Sequence, residues 1–89
     1  MLSIEYAPEF IRTWKKLPRD LQDEVIDRIE LFQHQRNHSS LKVHKLKGDL
    51  RSKWSFSVNF RYRIIFQYAG KSKDVAQLLD IGDHTVYDP

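Results

Sequence analysis

The chain has 89 residues, 40% hydrophobic and 30% charged, with a net charge of +3 and an isoelectric point near 9.3. That balance is too apolar for a disordered segment and fits one soluble domain, small enough for a binding partner to add stability. The absence of cysteine excludes disulfides, thiolate metal sites and a cysteine nucleophile, and suits a reducing cytoplasm. The opening MLSIEYAPEF has neither the basic start nor the apolar run of a signal peptide, and no stretch approaches the roughly 18 apolar residues of a membrane span.

In chain order, Leu2, Ile4 and Tyr6 alternate with Ser3 and Glu5, which predicts a first strand over residues 2–6. Pro8 is tolerated in a first helical turn, and Phe10, Ile11, Trp14 and Leu17 then recur at helical spacing, with Arg12, Lys15 and Lys16 turned outward. Pro18 ends that helix. Asp20 is placed to cap a second one, whose apolar stripe is Leu21, Val25, Ile29 and Phe32, reaching about Gln35. Two helices joined at a proline predict an antiparallel hairpin, and Arg36 to Ser40 a polar exit loop. The period then changes to two. Trp54, Phe56 and Val58 alternate with Ser55, Ser57 and Asn59. Tyr62, Ile64, Phe66 and Tyr68 mark a second strand, Gly70 to Lys73 a turn, and Val75 to Ile81 a third. The expected fold is α+β: a twisted antiparallel sheet with the helical hairpin on one face, in the order β-α-α-β-β-β. Because side chains two apart on a strand share a face, Arg61 and Arg63 are expected together on the open face, opposite Tyr62, Ile64 and Phe66. A bulge would separate them.

Charge is unevenly spread. Residues 42–53 hold five Lys or Arg against one Asp, and residues 20–30 hold five acids against Arg28. A basic face of this kind is the usual footprint of a polyanion. The segment Lys45-Leu46-Lys47-Gly48-Asp49 reads as a lysine-bearing turn into the sheet, and the tail Asp80-Ile81-Gly82-Asp83-His84-Thr85-Val86-Tyr87 adds a histidine and a tyrosine. Cleavage of RNA by its own 2′-OH needs such a set: a base for the hydroxyl proton, cations for the phosphorane charge, and an acid for the departing 5′ oxygen. Histidine titrates in the right range, and arginine is an always-charged bidentate phosphate clamp. Each assignment has a plainer rival. Arg63 pairs with a carboxylate such as Asp80, Arg61 is an ordinary surface residue, His84 a tail residue, and Tyr87 a packing residue. Trp14 and Trp54 are read as core. His34 and His38 are spaced i, i+4, but no Glu stands beside His34 as in a zinc-protease helix. Asp80, Asp83, His84 and Asp88 are explained by a strand-end turn, so no metal and no cofactor are expected.

The pattern Phe10-x3-Trp14-x2-Leu17-Pro18, the KLKGD turn, the strand Tyr62-Arg63-Ile64-Ile65-Phe66 and the closing IGDHTVY resemble the RelE/ParE superfamily of small bacterial toxins, over essentially all of 1–89 as a single toxin domain. The resemblance implies an antiparallel sheet flanked by two N-terminal helices. In its RelE-like branch it implies metal-independent cleavage of mRNA on the ribosome, and a cognate antitoxin as partner. It matches Arg63 to the arginine that contacts the scissile phosphate and Tyr87 to the near-terminal tyrosine. It also matches His84 to the tail histidine of YafQ-like and HigB-like members, a proton-transfer candidate. RelE carries lysines on the strand before the arginine strand, where this chain has Trp54 and Phe56. Lys45, Lys47, Arg51, Lys53 and Arg61 are then left as the RNA-binding cations. The expected function is the toxin of a type II toxin–antitoxin system, an mRNA endoribonuclease of the cytoplasm that blocks translation, with no membrane partner. The alternatives are a ParE-like gyrase inhibitor without a nuclease site, and an inactive relative.

Overall fold

A computed structural model describes residues 1–48 and 52–83. The elements are β1 (Ser3–Tyr6), α1 (Pro8–Lys15), α2 (Arg19–His34), a 3-10 turn (Ser39–Leu41), β2 (His44–Lys45), β3 (Trp54–Ser57), β4 (Tyr62–Ala69) and β5 (Val75–Asp83). The architecture is the expected α+β arrangement, with a five-stranded open sheet in the order β1-β5-β4-β3-β2. From β2 to β5 every pairing is antiparallel, whereas β1 lies parallel to β5 with Ser3 opposite Val75. The intervening helices and meander carry the chain across the sheet, so the last strand returns beside the first in the same direction. β2 was not expected; it is only two residues long, too short to show a period.

The helical hairpin closes on itself through a reciprocal pair of bonds. Trp14 Nε1 donates to the Gln22 carbonyl at 3.2 Å, and Gln22 Nε2 donates to the Trp14 carbonyl at 3.0 Å. Pro18 is the N-cap of α2 and no side chain caps it, so Asp20 lies inside the first turn instead of at the cap. There it still faces the positive end of the helix. Phe32 of α2 stacks on Phe56 at 4.2 Å between centroids and tilts against Phe66 at 4.9 Å. The helix-side core also holds Leu2, Phe10, Val25, Ile29, Leu41, Val58, Ile64, Ala76, Leu78 and Ile81. Trp54 and Tyr68 pack against its edge, as expected of Trp54.

Two irregularities shape the other end of the sheet. The register of β4 and β5 shifts between Ile65 and Phe66, which pair with Asp80 and Leu78, so Leu79 is the extra residue of a bulge. This is why Leu78 and Ile81, three apart, both face the core. The β3–β4 connection turns on Asn59, whose Oδ1 accepts from the backbone N–H of Arg61 at 2.9 Å and of Tyr62 at 2.8 Å. Asn59 Nδ2 in turn donates to Glu24 on α2 at 2.8 Å. Among the described residues no helix is long and apolar enough to cross a membrane.

Candidate functional site

On the face away from the helices, β3, β4 and β5 present Ser55, Ser57, Arg63, Ile65, Gln67, Gln77 and Gly82, the alternates of the core residues. Arg63 lies there, as its strand position requires, but it is not open to solvent: only 3% of its surface is accessible. Its direct partners are Ser57 on β3 and Gly82 on β5, both too small to hold a long side chain upright. The guanidinium bends along the sheet, and Nη1 donates to Ser55 Oγ, two residues further along β3, at 3.4 Å. Ser55 is itself fully buried and is the cross-strand partner of His44. Its Oγ lies 3.4 Å from His44 Nε2. His44 Nδ1 donates to the Lys42 carbonyl at 2.8 Å; a neutral ring then accepts from the serine hydroxyl at Nε2, and a charged ring donates to it. The carbonyl is held in place because Lys42 takes the left-handed conformation, φ 51°. A continuous polar string thus runs from the exposed imidazole of His44 to the buried guanidinium of Arg63.

The expectation that Arg61 and Arg63 share a face is corrected. The Asn59 turn places Arg61 before β4 begins. Its Nε donates to Asp83 Oδ2 at 3.1 Å, and its guanidinium lies 5.2 Å from the Tyr62 ring centroid. The bond to Asp83 is the main cause that raises the Arg61 pKa above its ordinary value. The anticipated cations are also dispersed. Lys53 lies on the Arg63 side, where its Nζ donates to Gln67 Oε1 at 3.2 Å. From there Gln67 donates to Gln77 at 2.8 Å and Gln77 to Glu5 at 2.9 Å, a ladder over three strands. Lys45 pairs with Trp54 and therefore belongs to the opposite face, and Lys47 is exposed beyond the end of β2. Arg51, His84 and Tyr87 lie outside the described residues. Asp80, the rival partner proposed for Arg63, accepts from Thr13 Oγ1 of α1 at 2.9 Å.

Trp54 and Phe56 point at the helices, so lysines at these positions would not flank Arg63 in this register. The residues that do share its face are Lys53, Ser55 and Ser57. The missing lysine pair is therefore no mark against the site. His44 was overlooked in the sequence because nothing in KVHKLKG has a period of two long enough to read; only its pairing with Ser55 reveals it. The His34 and His38 pair dissolves: α2 ends at His34, and His38 Nδ1 accepts from Ser40 N at 3.2 Å as the cap of the 3-10 turn. Among the described residues no three His, Asp or Glu side chains converge as metal ligands would.

Comparison with known proteins gives the class. The family of RelE-like toxins of the type II toxin–antitoxin system HigB matches residues 9–82, and the chain belongs to that HigB-like toxin family. It is the toxin of a type II system, and no finding favours the gyrase-binding alternative. The fold is shared with YafQ from E. coli strain BL21(DE3), at a TM-score of 0.75 and 14% identity over 100% of both chains. It is shared too with an archaeal RelE in its RelE–RelB complex from Pyrococcus horikoshii OT3, at 0.74 and 12% identity over 96% of this chain and 97% of that one. A third similar structure is the E. coli DinJ–YafQ toxin–antitoxin complex, at 0.73 and 15% identity over 99% of this chain and 98% of that one. No curated protein matches the sequence.

Proposed function

We propose that this toxin is an mRNA endoribonuclease that needs no metal, with Arg63 as the cation on the scissile phosphate. The observation that carries this reading is the buried guanidinium of Arg63 on the polar side of the sheet, already oriented by a hydroxyl. A charged group that is desolvated and pre-aimed stabilises developing charge far better than one free in water. The ribose 2′-oxygen attacks the phosphorus as its proton passes to a base, the P–O5′ bond breaks, and an acid protonates the departing 5′ oxygen. The products are a 2′,3′-cyclic phosphate and a 5′-hydroxyl. His84 is assigned to proton transfer and Tyr87 to holding the substrate. His44, joined to Arg63 through Ser55, is the second imidazole the geometry offers for the proton. Lys45, Lys47, Arg51, Lys53 and Arg61 are assigned to the RNA or ribosome backbone, not to bases.

The partner in the cell is a cognate antitoxin, as in the RelE–RelB and DinJ–YafQ complexes. An acidic, amphipathic antitoxin segment that orders on binding suits a basic toxin, and it is assigned to cover His84 and Tyr87. The place of action is the cytoplasm, where ribosomes and the reducing conditions suited to a cysteine-free chain are found. The test is to incubate the purified toxin with RNA, with and without ribosomes, in the presence of a chelator. Sustained cleavage with cyclic-phosphate ends, lost in His84→Ala or His44→Ala and inert toward DNA, supports the scheme. Arrest by the chelator refutes its metal independence.

A further inference from the structure

We infer that Ser55 is a positioning residue: its hydroxyl fixes the guanidinium of Arg63 in the orientation that meets the phosphate, and it links that guanidinium to His44. This rests on the nuclease reading above. Ser55 sits in a strand whose neighbours Trp54 and Phe56 belong to the aromatic core, yet it is a fully buried polar residue on the other face. A buried hydroxyl is retained without loss only where it is hydrogen-bonded. This one lies between a donor, Arg63 Nη1, and the ring nitrogen His44 Nε2, both at 3.4 Å. A hydroxyl both accepts and donates, so it can join an arginine, which only donates, to an imidazole nitrogen in either of its roles. Alanine has neither function, and a carboxylate would neutralise the arginine that has to meet an anion.

The strand neighbours leave the hydroxyl a part in orienting the arginine. Ser57 and Gly82, directly beside Arg63, are too small to brace its long side chain. Ser55 stands at the far end, where the guanidinium lies, and is itself anchored through His44 to the Lys42 carbonyl. Both 3.4 Å contacts are at the outer limit of a hydrogen bond in the free protein, and such contacts shorten when substrate completes the site. Ser55 touches no substrate in this scheme; it acts through Arg63.

The experiment uses the full chain with three substitutions, Ser55→Ala, Arg63→Gln and the pair. In the parent the guanidinium NMR signals of Arg63 are expected to be resolved by restricted rotation, and in Ser55→Ala that rotation speeds up and the signals broaden toward an average. With RNA, Ser55→Ala lowers kcat about 10-fold, the worth of one hydrogen bond to a charged group, and leaves KM unchanged. In the Arg63→Gln background the same substitution has no further effect, because the residue it acts through is gone. Arg63 signals that are already averaged in the parent, or a Ser55→Ala loss of equal size in both backgrounds, overturn the inference. If the parent cuts no RNA while Ser55→Ala still frees the guanidinium, the nuclease reading falls and the positioning of Arg63 by Ser55 stands.

Discussion

The two faces of the central sheet are built by opposite rules. Toward the helices, Phe10, Phe32, Phe56 and Phe66 are fully buried in a cluster whose buried members are all hydrophobic. Toward the other side, the same strands present Ser55, Arg63, Gln67 and Gln77, linked by directional bonds in two strings: His44–Ser55–Arg63, and Lys53–Gln67–Gln77–Glu5. Packing on the first face is non-directional and supplies stability. Polar strings on the second supply little net stability, since each bond replaces one to water, but they fix where particular atoms point. On the proposed reading, a small domain that keeps a buried arginine on its polar face places stability and chemistry on separate sides of one sheet.

That division can be broken from the core side first. Phe32→Ala, which removes the ring stacked on Phe56 and tilted against Phe66, should cost about 3–5 kcal/mol, measured as a fall in the urea midpoint. A loss below about 1 kcal/mol would mean the helix-side core is not the seat of stability. On the polar face, Arg63→Gln should lower the cleavage rate on the order of 10²-fold while shifting stability by at most about 2 kcal/mol. Glutamine is preferable to alanine because the site is buried, so truncation would mix a packing defect into the readout. Gly70 adopts φ +83°, and a Cβ there would meet Asp74 Oδ1 at 2.5 Å, so Gly70→Ala should cost about 1 kcal/mol or more of thermal stability. Gln67→Leu cuts the second string in the middle and should cost about 1 kcal/mol or less. The gentlest probe compares two lysines on opposite faces. Lys53→Gln should flatten the salt dependence of RNA binding by about 0.7 in log–log slope, and Lys45→Gln by less, because Lys45 shares the face of Trp54. Equal slopes would place RNA on both faces.

Much of this division was legible in the sequence, and the parts that were not have particular causes. The helical hairpin was plain from Phe10, Trp14 and Leu17 followed by Pro18, because a 3.6-residue stripe is a local pattern. The core alternation of β3 and β4 was equally plain. β2 was invisible because His44 and Lys45 owe their strand conformation to Ser55 and Trp54, beyond the reach of a local pattern. The parallel placement of β1 depends on how the whole chain returns. The bulge at Leu79 breaks alternation where Leu78, Leu79 and Ile81 read as a plain apolar run. At the site, the face of Arg63 followed from counting by two, but its burial and its contact with Ser55 are set by the assembled sheet and not by any local pattern. Arg61 was misplaced because Asn59 accepts two backbone N–H groups and holds the chain in a turn past the expected strand start. His44 and Ser55 were passed over as members of a basic segment and of an alternating strand, since only the register brings them together.

The most direct test of the account is to map RNA 5′ ends in cells that lack the antitoxin, inducing the parent and Arg63→Gln to equal soluble levels. The parent should generate new 5′-hydroxyl ends throughout mRNA and arrest growth. Arg63→Gln should generate almost none and allow growth, while remaining folded and still co-purifying with the antitoxin. Ends produced equally by both proteins, or arrest by the parent with intact mRNA, would contradict the claim that the buried arginine on the polar face is the centre of the chemistry.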